Sequence, residues 1–214
     1  MDLPRFDPAT EERSFKLGIN AQLEVLLLPA LMAHIGSHAP GLQILSRAVT
    51  RQRVFGMLDE GEIDLAVGFL PGGATWHRRE RLYQEEHVCC FDPRQPPFAR
   101  PLSADDYRAS AHGLVSATDS PTGYLEQALT RAGARPRVAL ASHNFMTLCA
   151  AASSRPMIVM LASRVAAAYA ARFGLVTSPI PFEIGTVDID MIWHARNDRD
   201  PAMTWLRERI RATV

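Results

Sequence analysis

The stretch MLDEGEIDLAVGFLPGG, residues 57–73, decides the fold class of this 214-residue chain. It begins at the end of a helix, continues as a short apolar strand from Asp64 to Leu70, and closes on Gly72 and Gly73. A helix that leads directly into a buried strand is half of a βαβ unit, whose strands are parallel. The strand tip then has three possible roles: a phosphate loop, the lip of a small-molecule cleft, or only a tight turn.

The preceding residues repeat this alternation. Residues 13–20 alternate apolar and polar side chains as a strand does, and Asn20 is placed to cap the helix that follows. Residues 42–49 predict a second strand, after which Thr50 can cap a helix over 51–60. Two βαβ units in the first 73 residues predict parallel strands joined by right-handed crossovers.

A second α/β run follows a proline-rich connection at residues 92–103. The predicted strands of this run are 112–118, 137–142 and 157–161, each followed by a helical pattern. A last strand over 187–196 and a last helix over 200–210 end the chain, with Asp200 and Pro201 at the cap and first-turn positions. The sequence therefore predicts two α/β lobes joined near residues 91–95.

The composition limits the classes of protein to which this chain can belong. The formal net charge is zero, so the chain carries no overall basic field that would hold a nucleic acid. Three cysteines match no metal spacing and suit a reducing compartment, and the polar N-terminal residues do not resemble a secretory signal. No 18-residue apolar span is present. We expect a cytoplasmic globular protein without a membrane segment.

Motifs for catalysis are absent from the sequence. The GFLPGG segment is neither a P-loop nor a dinucleotide fingerprint, and no GxSxG elbow occurs. His34 and His38 lie four residues apart without a third ligand, so a structural histidine is favoured over a metal site. Buried thiols are the expectation for the three cysteines. We therefore expect no enzyme activity, no metal and no cofactor.

Three strand tips lead into helix N-termini, at Asn20-Ala21-Gln22, at Thr118–Gly123 and at Ser142-His143-Asn144. Each offers backbone N–H groups and the positive end of a helix dipole, which suit a small anion such as a carboxylate. The alternative is that each is a simple N-cap. One such turn would be a cap, whereas three converging on one crevice would be a binding site.

The helix at 51–60 opposes its own dipole, with Arg51 and Arg53 at its positive end and Asp59 and Glu60 at its negative end. An antiparallel copy would set arginine against acid across a two-fold axis. We therefore predict a homodimer contact here, while a solvated charged face stays an equal alternative. The residues expected at this contact are Arg51, Arg53, Phe55 and Asp59.

Several phrases, taken in order, resemble one known family. They are FDPATEERSFKLGI, LLLPALMAHIGSHAPGLQI, LDEGEIDLAVGFLP, GYLEQALTRAG and MIWHARNDRDPAMTWLRERI. Together they span nearly the whole chain and resemble the effector-binding domain of LysR-type transcriptional regulators, in the branch that responds to aromatic and flavonoid-like inducers.

The resemblance implies an α/β fold of two Rossmann-like lobes with a central cleft, similar to type 2 periplasmic binding proteins. The first lobe would take residues 1–91 plus 188–214, and the second lobe 92–187. An effector would lie in the cleft, and the lobes would form a homodimer or tetramer. The implied effector-binding residues are Asn20, Ala21, Gln22, Thr50, Phe69, Thr118, Thr122, Gly123, His143, Asn144 and Phe145.

Two departures from the family pattern stand out. Full-length members carry an N-terminal winged helix-turn-helix that this chain lacks, so we do not expect it to bind operator DNA alone. Related members also often read Leu-Pro where this chain has Leu161-Ala162, which affects the start of the next helix. The sequence predicts a sensor of a small, aromatic carboxylate inducer, and the alternative with the same architecture is a solute-binding protein of a transport system.

Overall fold

The computed structural model describes residues 6–36, 38–95, 100–116 and 124–214. These residues form two compact units, one running to Gln84 and resuming at Asp188–Val214, the other spanning Glu85–Val187. Within the described residues each unit contains one five-stranded sheet with helices packed on it. The predicted α/β class is therefore confirmed.

The sheet of the first unit has the strand order β2-β1-β3-β10-β4. Strands β1, β2 and β3 are parallel, and β10 is antiparallel to β3. The strands of this unit are β1 (Arg13–Ile19), β2 (Leu42–Ala48), β3 (Leu65–Gly68), β4 (His77–Glu85) and β10 (Val187–His194). Its helices are α1 (Ala21–Ile35), α2 (Val54–Glu60) and α7 (Pro201–Thr213).

The sheet of the second unit has the order β7-β6-β8-β5-β9, in which β6, β7 and β8 are parallel. Strand β5 is antiparallel to both β8 and β9. The strands are β5 (His87–Phe91), β6 (His112–Val115), β7 (Val138–Ser142), β8 (Ile158–Ala162) and β9 (Val176–Pro179). The helices are α3 (Ala104–Ala109), α4 (Tyr124–Arg131), α5 (Phe145–Ser154) and α6 (Ser163–Tyr169).

Helix α1 follows the predicted apolar spacing. Leu23, Leu27, Leu31 and Ile35 are buried at intervals of four residues, and α1 packs against α7. Pro29 lies inside this helix and is exposed, yet the helix runs without interruption from Ala21 to Ile35. A proline inside a helix removes one backbone hydrogen bond and favours a kink or a restart. The structure shows no restart at Pro29, and the buried stripe of four apolar residues stabilises the helix on both sides of it.

Helix α2 begins later than the sequence predicted. Residues 51–53 form turns, and Thr50 contributes its backbone carbonyl, which accepts from the N–H groups of Arg53 and Val54 at 3.1 and 3.0 Å. No side chain caps the helix at Arg53. The end of α2 agrees with the sequence, since Gly61 has φ +73° in the left-handed region that glycine tolerates.

The division between the units differs from the sequence-based boundary at residue 91. Strand β5, His87–Phe91, pairs with β8 and β9 and so belongs to the second sheet. The prediction placed these residues in the first lobe because the proline-rich segment starts only after them. Strands β4, β5 and β9 were not predicted, since short or irregular apolar patterns gain stability from pairing with distant strands. Helix α3 was also not predicted, because its six residues are too few to show a helical repeat.

The first stability prediction concerns Asp200. Its carboxylate accepts from the Arg13 guanidinium at 3.1 and 2.6 Å and from the N–H groups of Ala202 and Met203, so it joins β1 to the start of α7. Replacing Asp200 with Ala removes an N-cap and a half-buried ion pair, and we expect a loss of about 1–3 kcal/mol in unfolding free energy. Urea denaturation measures this loss.

The matched control is Asp105→Ala, which breaks the Asp105–Arg108 ion pair, in which the Asp105 side chain is 99% exposed. We expect a change within about 0.5 kcal/mol for this variant. Equal losses for the two variants would contradict the role given to Asp200.

A second prediction concerns pH and His112. The ring is buried against Tyr107 with centroids 4.4 Å apart, and Nδ1 accepts from the Arg137 N–H at 3.2 Å. Burial lowers the pKa of His112 to about 4. The unfolded chain takes up this proton near pH 6.5, so the unfolding free energy should fall as pH drops from about 6.5 to about 4, by at most about 1.4 kcal/mol per pH unit.

His112→Asn keeps an acceptor for the Arg137 N–H and removes the titration. We expect the slope of unfolding free energy against pH to flatten between about pH 6.5 and 4. Chemical denaturation at a series of pH values measures the slope, and His34→Asn, on an exposed position of α1, is the control. An unchanged slope in His112→Asn would show that other groups carry the dependence.

Candidate functional site

The carboxyl edge of the first sheet brings together residues from three strands. Ile19 of β1 pairs with Ala48 of β2 and with Val67 of β3, all in parallel register. The residues that follow, including Asn20, Thr50 and Phe69, therefore lie along the same edge. Strand β1 sits between β2 and β3, and in such sheets the chain connections diverge here and leave a crevice that ligands use.

Asn20 forms the N-cap of α1. Its Oδ1 accepts from the N–H groups of Gln22 and Leu23, both at 3.0 Å, and its extended backbone ends β1. Asn20 is exposed, while Ala21 and Gln22 are half-buried. The predicted turn Asn20-Ala21-Gln22 thus exists as a capped helix start at the carboxyl edge of the sheet.

Arg51 and Phe69 meet at this edge. Phe69 directly follows β3 and is half-buried, and the Arg51 guanidinium carbon lies over its ring, 5.5 Å from the centroid. Thr50, also half-buried, directly precedes Arg51. The sequence assigned Arg51 to a dimer contact, whereas the structure places its side chain beside a residue predicted to bind the effector.

The loop after β3 answers the question raised by GFLPGG. Gly72 and Gly73 have φ of +97° and +102°, and the carbonyls of Leu70 and Gly72 accept from the Arg79 guanidinium at 2.5 and 2.9 Å. Arg79 also pairs with the buried Asp190 of β10. Because an arginine holds the loop by its carbonyl oxygens, the loop does not present a cradle of N–H groups to a phosphate.

Asp59 at the end of α2 has its partners within the first unit. Its Oδ1 accepts from Trp76 Nε1 at 2.9 Å and lies 2.9 Å from His77 Nε2 and 3.8 Å from His194 Nε2. The bond from Trp76, followed by the nearby histidines, lowers the pKa of Asp59. Arg196 also donates to the carbonyls of Leu58 and Asp59, so a distant cation complements the C-terminal end of α2.

The carboxyl edge of the second sheet holds another capped helix start. The N–H of Ser116, after β6, donates to the carbonyl of Ser142 at 3.0 Å, and Ser142 Oγ accepts from the Asn144 N–H at 3.1 Å. Asn144 Oδ1 in turn accepts from the Met146 N–H at 3.0 Å and caps α5. His143 is exposed beside this cap.

Phe145, which the resemblance implied for the effector site, is buried within its own unit. Its side chain is 1% exposed and packs edge-on against Tyr169 with centroids 5.7 Å apart. The first residue of α5 therefore points into the core of its unit, whereas His143 is exposed and Asn144 caps the helix. The sequence could not separate these orientations, because all three residues fall within one turn.

The start of α6 is occupied by a carboxylate. Glu85 Oε1 accepts from the Ser163 N–H at 3.1 Å and from Ser163 Oγ at 2.6 Å. Ala162, the position at which the resemblance led us to expect proline, has φ −56°, a value that a proline ring also allows. The backbone of this turn is therefore compatible with either residue, and Glu85 occupies the Ser163 N–H and hydroxyl, which an anion at the start of α6 would need.

The predicted site residues Thr118, Thr122 and Gly123 lie outside the described residues. Among the residues that the structure describes, no group of three histidine, cysteine or acidic side chains is arranged to hold a metal ion. No helix in these described ranges is both long and apolar enough to cross a membrane.

The three cysteines are buried, as expected. Burial raises the pKa of the Cys90 thiol to about 12 and of the Cys149 thiol to about 11, and it raises the pKa of Cys89 further. A protonated thiol is a poor nucleophile. These side chains therefore act as packing groups.

The structure thus groups the described candidates by sheet. Asn20, Ala21, Gln22, Thr50 and Phe69 lie at one carboxyl edge, and His143 and Asn144 lie at the other. Arg51 was missed as a member of the first group, and only its position next to Thr50 could have indicated it from the sequence. Glu85 and Ser163 were missed in the second group because Glu85 ends β4, which was not predicted, and its contact with the start of α6 joins residues 78 positions apart.

Residues 8–214 match the family described as the LysR substrate binding domain. Similar relatives include the HTH-type transcriptional activators NagR of Ralstonia sp and NahR of Pseudomonas putida, each 30% identical over 203 residues that cover 95% of this chain and 67% and 68% of the relatives.

A solved structure of the regulatory domain of MexT, a transcriptional activator in Pseudomonas aeruginosa, matches with a TM-score of 0.85 at 28% identity. That match covers 96% of this chain and 100% of the MexT domain. The family and these relatives are transcriptional regulators and not enzymes, which also favours a regulator over the transport protein. The chain belongs to the LysR family, as an effector-binding domain of LysR-type transcriptional regulators with the two-lobe fold of periplasmic binding proteins.

Proposed function

We propose that this domain senses a small aromatic carboxylate, which is held by residues at the carboxyl edges of both sheets. The observation that carries the proposal is the pair of asparagine-capped helix starts, Asn20 before α1 and Asn144 before α5, each at the carboxyl edge of a parallel β-sheet. This is the edge at which open α/β sheets bind ligands.

The charge of the ligand follows from the helix ends. α1 and α5 have 15 and 10 residues, so each presents the positive end of a dipole at its capped turn. Asn20 and Asn144 each use Oδ1 to cap the helix, which leaves the amide NH₂ as a donor. Neutral donors and positive dipole ends together favour a carboxylate over a cation.

The aromatic part of the proposal rests on Phe69. Its half-buried ring lies at the edge that also holds Asn20 and Thr50. A second ring packed on it would bury apolar surface and gain an aromatic contact worth about 0.5–1.5 kcal/mol. An aliphatic acid of similar size would form the polar contacts without this gain.

Signalling would follow from contacts with both units. A ligand that contacts residues of both favours the arrangement of the units in which all of those contacts form, and only its difference in affinity between arrangements can shift the balance. We propose that this shift passes, in the cytoplasm, to a DNA-binding domain of the kind that the names of the HTH-type relatives imply.

The test uses charge at the caps. Asn20→Asp and Asn144→Asp should preserve the caps, since the two residue types cap equally well, but each adds a negative charge at the proposed site. Against benzoate, salicylate and cinnamate, we expect the wild-type chain to bind at least one acid and each variant to bind it at least tenfold more weakly. Thermal shift and isothermal titration calorimetry measure this.

Ser103→Asp is the control, because Ser103 caps α3, a helix that precedes β6 instead of following a strand end. Its affinity for the acid should equal that of the wild type. The carboxamide of each acid supplies a second comparison. Carboxamides that bind as tightly as the acids, or aspartate variants that keep full affinity, would contradict the carboxylate site.

We also propose that two copies of the chain pair through antiparallel α2 helices. Asp59 is bound to Trp76 within the chain, and Phe55 packs on His77 with centroids 4.9 Å apart. The contact would therefore depend on Arg53 and Glu60, whose side chains are both exposed. Arg53 of one copy would then face Glu60 of the other.

Arg53→Glu should weaken self-association at least tenfold, because it places like charges opposite each other in both halves of a symmetric contact. Sedimentation equilibrium measures the association constant, and Arg199→Glu, an exposed arginine just before α7, controls for the change in net charge. Unchanged association in Arg53→Glu would show that copies of the chain pair elsewhere or remain single.

A further inference from the structure

We infer that Arg51 is the residue that recognises the carboxylate of the effector and makes this domain selective for acids over their neutral analogues. This inference rests on the proposed function, because it assigns one charged side chain to the site described above. It moves Arg51 from the dimer contact that the sequence predicted to the effector-binding edge of the first sheet.

The position of Arg51 is the first argument. It follows β2 by three residues, while Phe69 immediately follows β3, and both strands end at the carboxyl edge. Strand β1 lies between β2 and β3. A contact between Arg51 and Phe69 therefore spans the end of β1, next to the capped start of α1 at Asn20.

The contact that Arg51 makes is the second argument. Its guanidinium carbon lies over the Phe69 ring at 5.5 Å from the centroid, within the range of a cation–π interaction. The ring covers one face of the cation and takes up none of its N–H groups. The guanidinium is thus restrained and keeps its fork of donors for an anion, the geometry that matches a carboxylate with two parallel hydrogen bonds.

The uncompensated charge is the third argument. Arg51 is half-buried, yet among the described residues no carboxylate oxygen lies within 4.0 Å of its guanidinium. Arg13, Arg79 and Arg211 of the same unit each pair with an acid. Arg207, which is buried, instead donates to the carbonyls of Asn197 and Asp198 and to the Thr204 hydroxyl, and no such acceptor is present for Arg51 among the described residues. A half-buried cation that has no counter-ion among the described residues, on the sheet edge where α1 begins, raises the local potential for an anion.

Glu24 is the acidic residue in the first turn of α1, and it is half-buried. It forms no ion pair with Arg51 in the structure, so it does not neutralise the guanidinium. An aromatic acid bound here would place its carboxylate against Arg51 and its ring near Phe69. The carboxylate and the ring of the ligand would then be bound by two residues of the same sheet edge, one after β2 and one after β3.

The test compares an acid with its amide in three proteins. Isothermal titration calorimetry with benzoate and benzamide, or with the acid that binds best and its amide, is carried out on the wild-type chain, on Arg51→Gln and on Arg199→Gln. Arg199 is exposed and directly precedes Asp200, which pairs with Arg13 at the start of β1, so it marks the opposite edge of the same sheet.

We expect Arg51→Gln to lose about 10–100-fold in affinity for the acid and to change little towards the amide, since a hydrogen bond to a charged group is lost. Arg199→Gln should bind both as the wild type does. Phe69→Leu should weaken acid binding as well, and in Arg51→Gln the same change should have a smaller effect, because the ring positions the guanidinium.

The outcomes separate this inference from the proposal on which it rests. If the acid binds the wild type and is weakened by Asn144→Asp but not by Arg51→Gln, the carboxylate site stands and the role of Arg51 is wrong. If Arg51→Gln lowers the affinity for the acid and for the amide equally, Arg51 contributes to the shape of the site but does not recognise the charge of the ligand. The inference is then also wrong. If no acid binds the wild type, both proposals fall together.

Discussion

The pairing of β1 with β2 on one side and β3 on the other is the constraint on which the first unit depends. It aligns Ile19 with Ala48 and Val67, and so brings the ends of three strands to one edge. Gly18 shows how closely the elements approach there, because a Cβ at this position would come within 2.6 Å of Ile63 and 2.8 Å of Val49. A larger residue would force those core side chains apart and move the edge with them.

The parts of this arrangement that a sequence can predict are local. Asn20, Asn144 and Asp200 occupy N-caps because their short side chains reach the N–H groups two and three residues ahead, and Gly61 ends α2 with a positive φ. The α/β class was predictable as well, because the alternation of apolar strands with helical patterns is visible in the sequence itself. Each of these signals lies within a window of a few residues, so no knowledge of tertiary contacts is needed to detect it.

The parts that were not predictable depend on distant partners. β5 is recognisable as a strand of the second sheet only through β8 and β9, which lie about 70 and 90 residues further along the chain. The sequence assigned Asp59 to a homodimer contact because its partners within the chain, Trp76, His77 and His194, are distant in sequence. Likewise, the acidic residues at the C-terminal end of α2 are unfavourable for the helix dipole, but Arg196 compensates by donating to the carbonyls of Leu58 and Asp59.

Arg51 is where local rules and tertiary structure disagree most. A cation near the start of α2 opposes the helix dipole, and a half-buried guanidinium that pairs with no carboxylate in the described part of the chain costs solvation. Neither the helix nor the core therefore explains its position. Residues whose position is locally unfavourable and that gain no stabilising contact in the fold are expected mainly at functional sites. The Phe69 ring offsets part of the cost, and an anionic ligand at the same edge would offset the rest. By this argument the position is unfavourable only in the absence of the ligand.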